Sequence, residues 1–239
     1  TFPTYWVREF ANGETTFAVS KFAGLDKYLD PHRTGNQNDI NGTRDGFLAR
    51  IGETYLIVAE AYGRKGDYGN AVKYINTLRE RAAYREGEDR GHYRNQGETA
   101  YFSANTYYES NGIDEGITNS TLNAMKISEG DFEKETDAGI PYSIFGATTK
   151  EDKFLHFILN ERTRELCGEF HRWEDLSRTK TLYIRTIPYN LDNAAEQLKT
   201  ETTGKFFLRP IPQTFIDGVT INGNTPNTEQ GKAMQNPGY

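Results

Sequence analysis

Residues 160–178 read NERTRELCGEFHRWEDLSR, a dense and regularly spaced run of charge. Glu161, Glu165 and Glu169 stand one helical turn apart, with Arg162, Arg164, Arg172 and Arg178 interleaved among them. Paired carboxylates could serve as the acid and base of glycoside hydrolysis, where one carboxyl keeps its proton while the other stays ionised. A glycosidase built on Glu161 and Glu165 would release reducing ends and lose that activity on Glu165→Gln. Arginines at this density instead drive carboxylates to the ionised form, the wrong state for a general acid. The set Glu161, Arg164, Glu165, Glu169 and Arg172 therefore reads as a structural ion-pair network joining helices, and no catalytic residue is assigned.

Other reactive side chains are thinly spread. His32, His92, His156 and His171 share no i, i+2 or i, i+4 spacing, and the chain has one cysteine, so no transition-metal centre is read. That cysteine, Cys167, falls at helical spacing beside Leu166 and Phe170 and reads as a core thiol. The loop DPHRTGNQNDINGTRDG brings Asp30, Asp39 and Asp45 together with many carbonyls. It matches no EF-hand spacing, and a structural calcium ion is the one cofactor it leaves open. Neither a GxxxxGK nor a GxGxxG loop follows a strand, and no Ser-His-Asp nucleophile motif is present.

Aromatic side chains supply the remaining chemistry: 15 Tyr, 14 Phe and 2 Trp, against only 2 Met. A ring can stack on the CH face of a sugar while neighbouring Asn, Asp and Arg groups bond its hydroxyls. Tyr5, Trp6, Tyr101, Tyr107 and Tyr108 lie outside the helical stripes described below and are the candidate ligand-binding residues, with Arg44 as a hydroxyl or carboxylate partner. Packing within the core or the loops is the competing reading for each. Trp173, beside the charge cluster, reads as structural.

These groups need elements to hold them. The chain has 239 residues, enough for one substantial core, and a mean hydropathy of -0.77 with no spanning apolar run. A net charge of -6 without a basic block argues against nucleic acid as a partner. Residues 1–30 mix large apolar groups with turn residues and read as one short β hairpin; 31–46 read as a polar surface loop. From Phe47 to Tyr62, Leu48, Ile51, Tyr55, Val58 and Tyr62 form one helical stripe. After the break GRKGD, Ala71, Ile75, Leu78 and Ala82 form a second, with Asp67 as its N-cap, which makes 47–84 a helical hairpin. Residues 85–149 lack periodicity and carry Tyr142 and Phe145 with the other loop tyrosines, a functional or partly disordered excursion with a short helix near 122–127. At 150–180, Leu155, Leu159, Leu166, Phe170 and Trp173 share a face that breaks at Gly168, and a second short helix covers Trp173–Leu176. Residues 181–239 read as a tail with one apolar stretch, FFLRPIP.

Three of these segments together resemble the SusD/RagB family of outer-membrane nutrient-binding lipoproteins, found in Bacteroidota. They are RIGETYLIVAEAYGRKGDYGNAVKYINTLRERA at 50–82, FILNERTRELCGEFHRWEDLSRTKTL at 157–182, and the end, with LRPIP at 208–212 and QNPGY at 235–239. Gly52 stands where the family often has Ala, a local cost of roughly 1 kcal/mol. The resemblance implies a mainly α SusD-like fold with tetratricopeptide-like helix pairs, long irregular loops and a minor short β hairpin. It also implies that residues 1–239 are the C-terminal portion of a single SusD-like domain, with the lipid anchor outside them. Location on the outer face of the outer membrane, a SusC-like TonB-dependent transporter as partner, and capture of oligosaccharide without catalysis follow from the same resemblance.

Two further readings compete with glycan capture. A peptide or glycopeptide receptor of the same architecture fits the acidic balance and the Arg-containing loops, and competition between oligosaccharides and peptides separates it. A helical-repeat scaffold that binds only proteins fits the 47–82 hairpin and predicts no saturable ligand-induced change in Trp fluorescence.

Overall fold

The computed structural model describes residues 7–9, 15–17, 45–83, 85, 121–137, 140–189 and 198–239. The fold is mainly helical, and the chain divides into two compact units, Thr1–Phe170 and His171–Tyr239.

In the first unit, β1 (Val7–Glu9) pairs antiparallel with β2 (Thr15–Phe17) in the register Val7 to Phe17 and Glu9 to Thr15. This is the short hairpin expected near the amino end. Helix α1 spans Ile51–Arg64 and α2 Tyr68–Ala82. Gly66, at φ 78°, turns the chain between them, and the Asp67 side chain accepts from the Asn70 backbone N at 3.1 Å as the N-cap of α2. The connection is shorter than the sequence suggested, because α1 runs on through Gly63 and Arg64. A short α3 (Leu122–Met125) and the 3-10 turns Glu129–Glu133 and Tyr142–Phe145 lead to α4 (Lys150–Leu166). A capping box starts α4: Asp152 N donates to Thr149 Oγ1 at 3.1 Å, and Thr149 N donates to Asp152 Oδ2 at 3.3 Å.

The packed faces differ from the expected stripes. On α1 the buried residues are Gly52, Leu56, Ala59, Glu60 and Gly63, while Leu48 is 95% exposed and Ile51 lies on the surface. Tyr55, Val58 and Tyr62 are half-buried, and the first and last turn their rings to Tyr74 of α2, with Tyr62 stacked at 5.7 Å. The deepest line on α1 follows its two glycines because a neighbouring helix approaches there. On α2, Ala71, Ile75 and Leu78 are buried as expected, but Ala83 rather than Ala82 closes the stripe.

Helix α4 is buried at every residue from His156 to Leu159 and on through Arg162, so it has no single apolar face. Phe154 and Phe157, outside the stripe read from the sequence, carry its core. Their rings meet Phe132 edge-on at 4.9 and 5.0 Å, an arrangement worth roughly 1 kcal/mol per pair beyond burial. Tyr142 and Phe145 also belong to the core, stacked on His156 at 6.0 and 4.8 Å, so this end of the excursion is packed structure. Conversely, Cys167 is exposed and Phe170 is 95% exposed, which corrects the reading of both as core. The reason is local: α4 ends at Leu166, Gly168 and Phe170 take positive φ of 79° and 65°, and the helical spacing stops applying.

The second unit holds α5 (Arg172–Arg178), α6 (Leu182–Tyr189), α7 (Gln213–Gly218) and α8 (Thr228–Met234), with a 3-10 turn at Lys205–Phe207. Helices α6, α7 and α8 replace much of the expected tail. The C-terminal QNPGY clasps LRPIP: Gln235 Nε2 donates to Ile211 O at 2.9 Å while Ile211 N donates back to its Oε1 at 2.6 Å. Asn236 Nδ2 donates to Arg209 O, and the Tyr239 hydroxyl to Leu208 O.

Candidate functional site

The charge cluster of α4 is tied to α1, to α2 and to the segment before Tyr142. Arg79 of α2 grips Glu161 in two-pronged fashion, Nε to Oε1 at 2.9 Å and Nη2 to Oε2 at 2.6 Å, and its Nη1 donates to Met125 O. Arg164 donates to the same Glu161 carboxylate at 2.6 Å and to Asp137 at 2.8 Å. Both guanidinium groups lie over the Phe157 ring, at 5.7 and 5.8 Å. Burial alone would lower the Arg164 guanidinium, but Glu161 and Asp137 outweigh it and hold it above its ordinary value. Asp137 also accepts from Asn160 Nδ2 at 2.6 Å and from the Tyr142 hydroxyl.

A second knot sits where α1 begins. Arg50 occupies the N-cap position without capping. Its side chain instead donates Nε to both oxygens of Glu169, Nη1 to Glu165 Oε1 and Nη2 to Glu165 O. The hydrogen bond that Arg50 donates to Glu169 leads in raising the Arg50 guanidinium well above its usual range, over the cost of burial, with Glu165 adding to it. Arg81 donates to Glu165 Oε1 at 2.8 Å, and Arg162 to Glu53 at 3.1 Å. Gly52 leaves room for this knot, since a Cβ there would collide with Arg50 Nη1 and sit 2.7 Å from Glu165 Oε1. The sequence reading of Gly52 as a small local cost missed that role.

Glu161, Arg164, Glu165 and Glu169 are thus each engaged within the first unit, and Arg172 opens α5 in the second. The partners Arg50, Arg79, Arg81 and Asp137 had no assigned role. Arg79 and Arg81 stand in the RERA end of the hairpin motif, which was the available signal. Each carboxylate here accepts hydrogen bonds from guanidinium groups, so its oxygens are spent on joining elements of the fold. Tyr5, Trp6, Arg44, Tyr101, Tyr107 and Tyr108 lie outside the described residues, as do Asp30 and Asp39 of the loop considered for calcium; Asp45 is exposed. Among the described residues no group of three or more His, Cys, Asp or Glu converges as a metal site, and no helix is long and apolar enough to cross a membrane.

The second unit presents a different surface. Trp173 is half-buried, donates Nε1 to Phe206 O at 2.9 Å, and carries the Arg209 guanidinium 4.6 Å above its ring. Tyr183 stacks on Phe207 at 4.8 Å, and Lys180 lies over that Phe at 5.2 Å. Lys205 lies between Phe206 and Tyr239, 5.0 and 5.6 Å from their centroids. Glu201 anchors the turn beneath: it accepts from the Tyr183 and Thr203 hydroxyls, from Thr203 N and from Gly204 N at 2.9 Å. Desolvation would raise this carboxyl, but these four donors prevail and hold it at about 2.

The model of the SusD family matches residues 11–239. No curated protein and no solved structure matches the chain.

Proposed function

The chain belongs to the SusD family, and from that membership we propose that it captures oligosaccharide at the cell surface and passes it to a SusC-like TonB-dependent transporter. In this reading it is a lipoprotein of the outer membrane and performs no chemistry on its ligand. The observation that carries the proposal is the extent of the family match, 229 of the 239 residues, residues 11–239. Two features support it. The charge cluster that could have been catalytic is consumed in holding α4 to its neighbours, which favours binding over turnover. The chain is also rich in tyrosine, the residue type that offers a sugar both a flat apolar face and a hydroxyl.

Isothermal titration of the full chain against plant, host and microbial oligosaccharides tests the proposal. We expect one class to bind, and Trp6→Ala to weaken it by about tenfold or more, about 1.4 kcal/mol, without loss of helicity. Silence across the panel, or displacement of the bound sugar by peptides of higher affinity, overturns it.

A further inference from the structure

The second unit departs from the rest of the chain in charge. Residues 171–239 carry 8 Lys and Arg against 7 Asp and Glu, within a protein whose net charge is -6. In the first unit most arginines of the core are held by carboxylates. In the second, Lys180, Lys205 and Arg209 lie on aromatic rings, and no ion pair joins any of the three to a carboxylate among the described residues.

The three cations are linked by one chain of ring contacts. Lys180 covers Phe207, which stacks on Tyr183; Tyr183 meets the edge of Phe206 at 6.1 Å; Lys205 covers Phe206 and Tyr239; and Trp173, bonded to the Phe206 carbonyl, carries Arg209. Glu201, which accepts from the Tyr183 hydroxyl of this array, spends its oxygens on that group and on three donors of the Thr203–Gly204 turn. Lys180 and Arg209 are exposed, and Lys205 is half-buried with its stem against the C-terminal turn, where a Cβ on Gly238 would sit 2.8 Å from Lys205 Cβ. Lys180 also holds φ at 58°, a left-handed conformation that suits glycine better than lysine. That conformation belongs to the turn that closes α5, where Lys180 N donates to Ser177 O at 3.1 Å and Thr181 N to Leu176 O at 2.9 Å.

From this array we infer that the second unit binds an acidic polysaccharide, its carboxylates or sulfates pairing with Lys180, Lys205 and Arg209 while exposed Tyr239 and the half-buried rings beside it receive the apolar faces of the sugars. The inference rests on the glycan-capture reading above and narrows its ligand class. Spaced cations separated by rings match a polymer with repeated charges rather than a single small anion. Screening by salt follows, because the cations lie at the surface.

The test titrates the full chain with four probes: polygalacturonate, its fully methyl-esterified form, dextran sulfate and unmodified dextran. We expect one or both charged probes to bind, with affinity falling when salt is raised and falling at least about tenfold on esterification or removal of sulfate. The two charged arms tell uronate from sulfate. The combined variant Lys180→Gln, Lys205→Gln, Arg209→Gln is expected to lose binding of the charged probe by a similar factor. Lys180→Gly alone separates binding from folding, since it relieves the backbone while deleting a cation: melting temperature should hold or rise as affinity drops. Unchanged affinity in the combined variant overturns the inference, as does equal affinity for charged and uncharged forms. Binding of neutral glycans alone overturns it while leaving glycan capture intact, whereas silence towards these probes and the wider panel removes both.

Discussion

The ring of Phe154 in α4 occupies the space that a side chain on Gly63 of α1 would need. A Cβ built on that glycine would lie 2.7 Å from Cε2 and closer still to Cζ and Cε1. The same ring is locked from its other sides by Phe132 and Tyr68, at 4.9 and 5.6 Å, so it has no room to retreat.

On an open helix surface, Gly63→Ala would stabilise by up to about 1 kcal/mol through backbone entropy. Here we expect it to destabilise by about 2 kcal/mol, because overpacking against a fixed ring outweighs that gain. Urea denaturation measures the change. Adding Phe154→Ala should make the alanine at 63 far less costly than it is alone, the mark of two residues sharing one volume.

Gly52 gives a sharper test because the sign should reverse. In the native background, Gly52→Ala forces Arg50 off Glu165 and is expected to cost about 1 kcal/mol net, the loss of a part-buried charged hydrogen bond exceeding the helix-propensity gain. In an Arg50→Ala background the guanidinium is gone and Glu165, whose Oε1 is then held by exposed Arg81, can turn away from the new Cβ, so the same substitution should stabilise by roughly 0.5 kcal/mol. A thermodynamic cycle of the four proteins reads the coupling. Equal effects of Gly52→Ala in both backgrounds would refute a role for this glycine in seating Arg50.

Glu201 predicts an acid-sensitive second unit. Its carboxyl is held at about 2, below the ordinary 4.5, so the folded state binds its proton less readily than the unfolded state. The stabilisation it provides is complete above pH of about 5 and is lost as pH falls toward 2. Trp173 reports on this turn through its bond to Phe206 O, so in a Trp6→Phe background its emission should shift in that window. Glu201→Gln should flatten the response, and a transition of unchanged shape in that variant would assign it to other carboxylates.

Much of the fold was legible from one sequence because local rules governed it. The hairpin of α1 and α2 followed from apolar spacing and a polar break, the Asp67 cap from its residue type, and the end of α4 from Gly168. Helices α6, α7 and α8 were missed because they are short and their periodicity covers barely two turns, too little to stand out from a loop. The burial of Tyr142 and Phe145 was missed because 3-10 turns have no amphipathic signature of their own.

By itself the sequence determined the chain's mainly helical class, its family resemblance, and the presence of a regular Glu and Arg array, since these depend on residue type, order and spacing alone. Only the tertiary structure decided which face of α1 goes inward, why Gly52 and Gly63 carry no side chain, and which arginine holds which glutamate. Those choices join residues far apart in the chain, Arg50 with Glu165 and Glu169 across more than a hundred positions, and periodicity along one helix carries no information about the ring or guanidinium that another helix will bring against it.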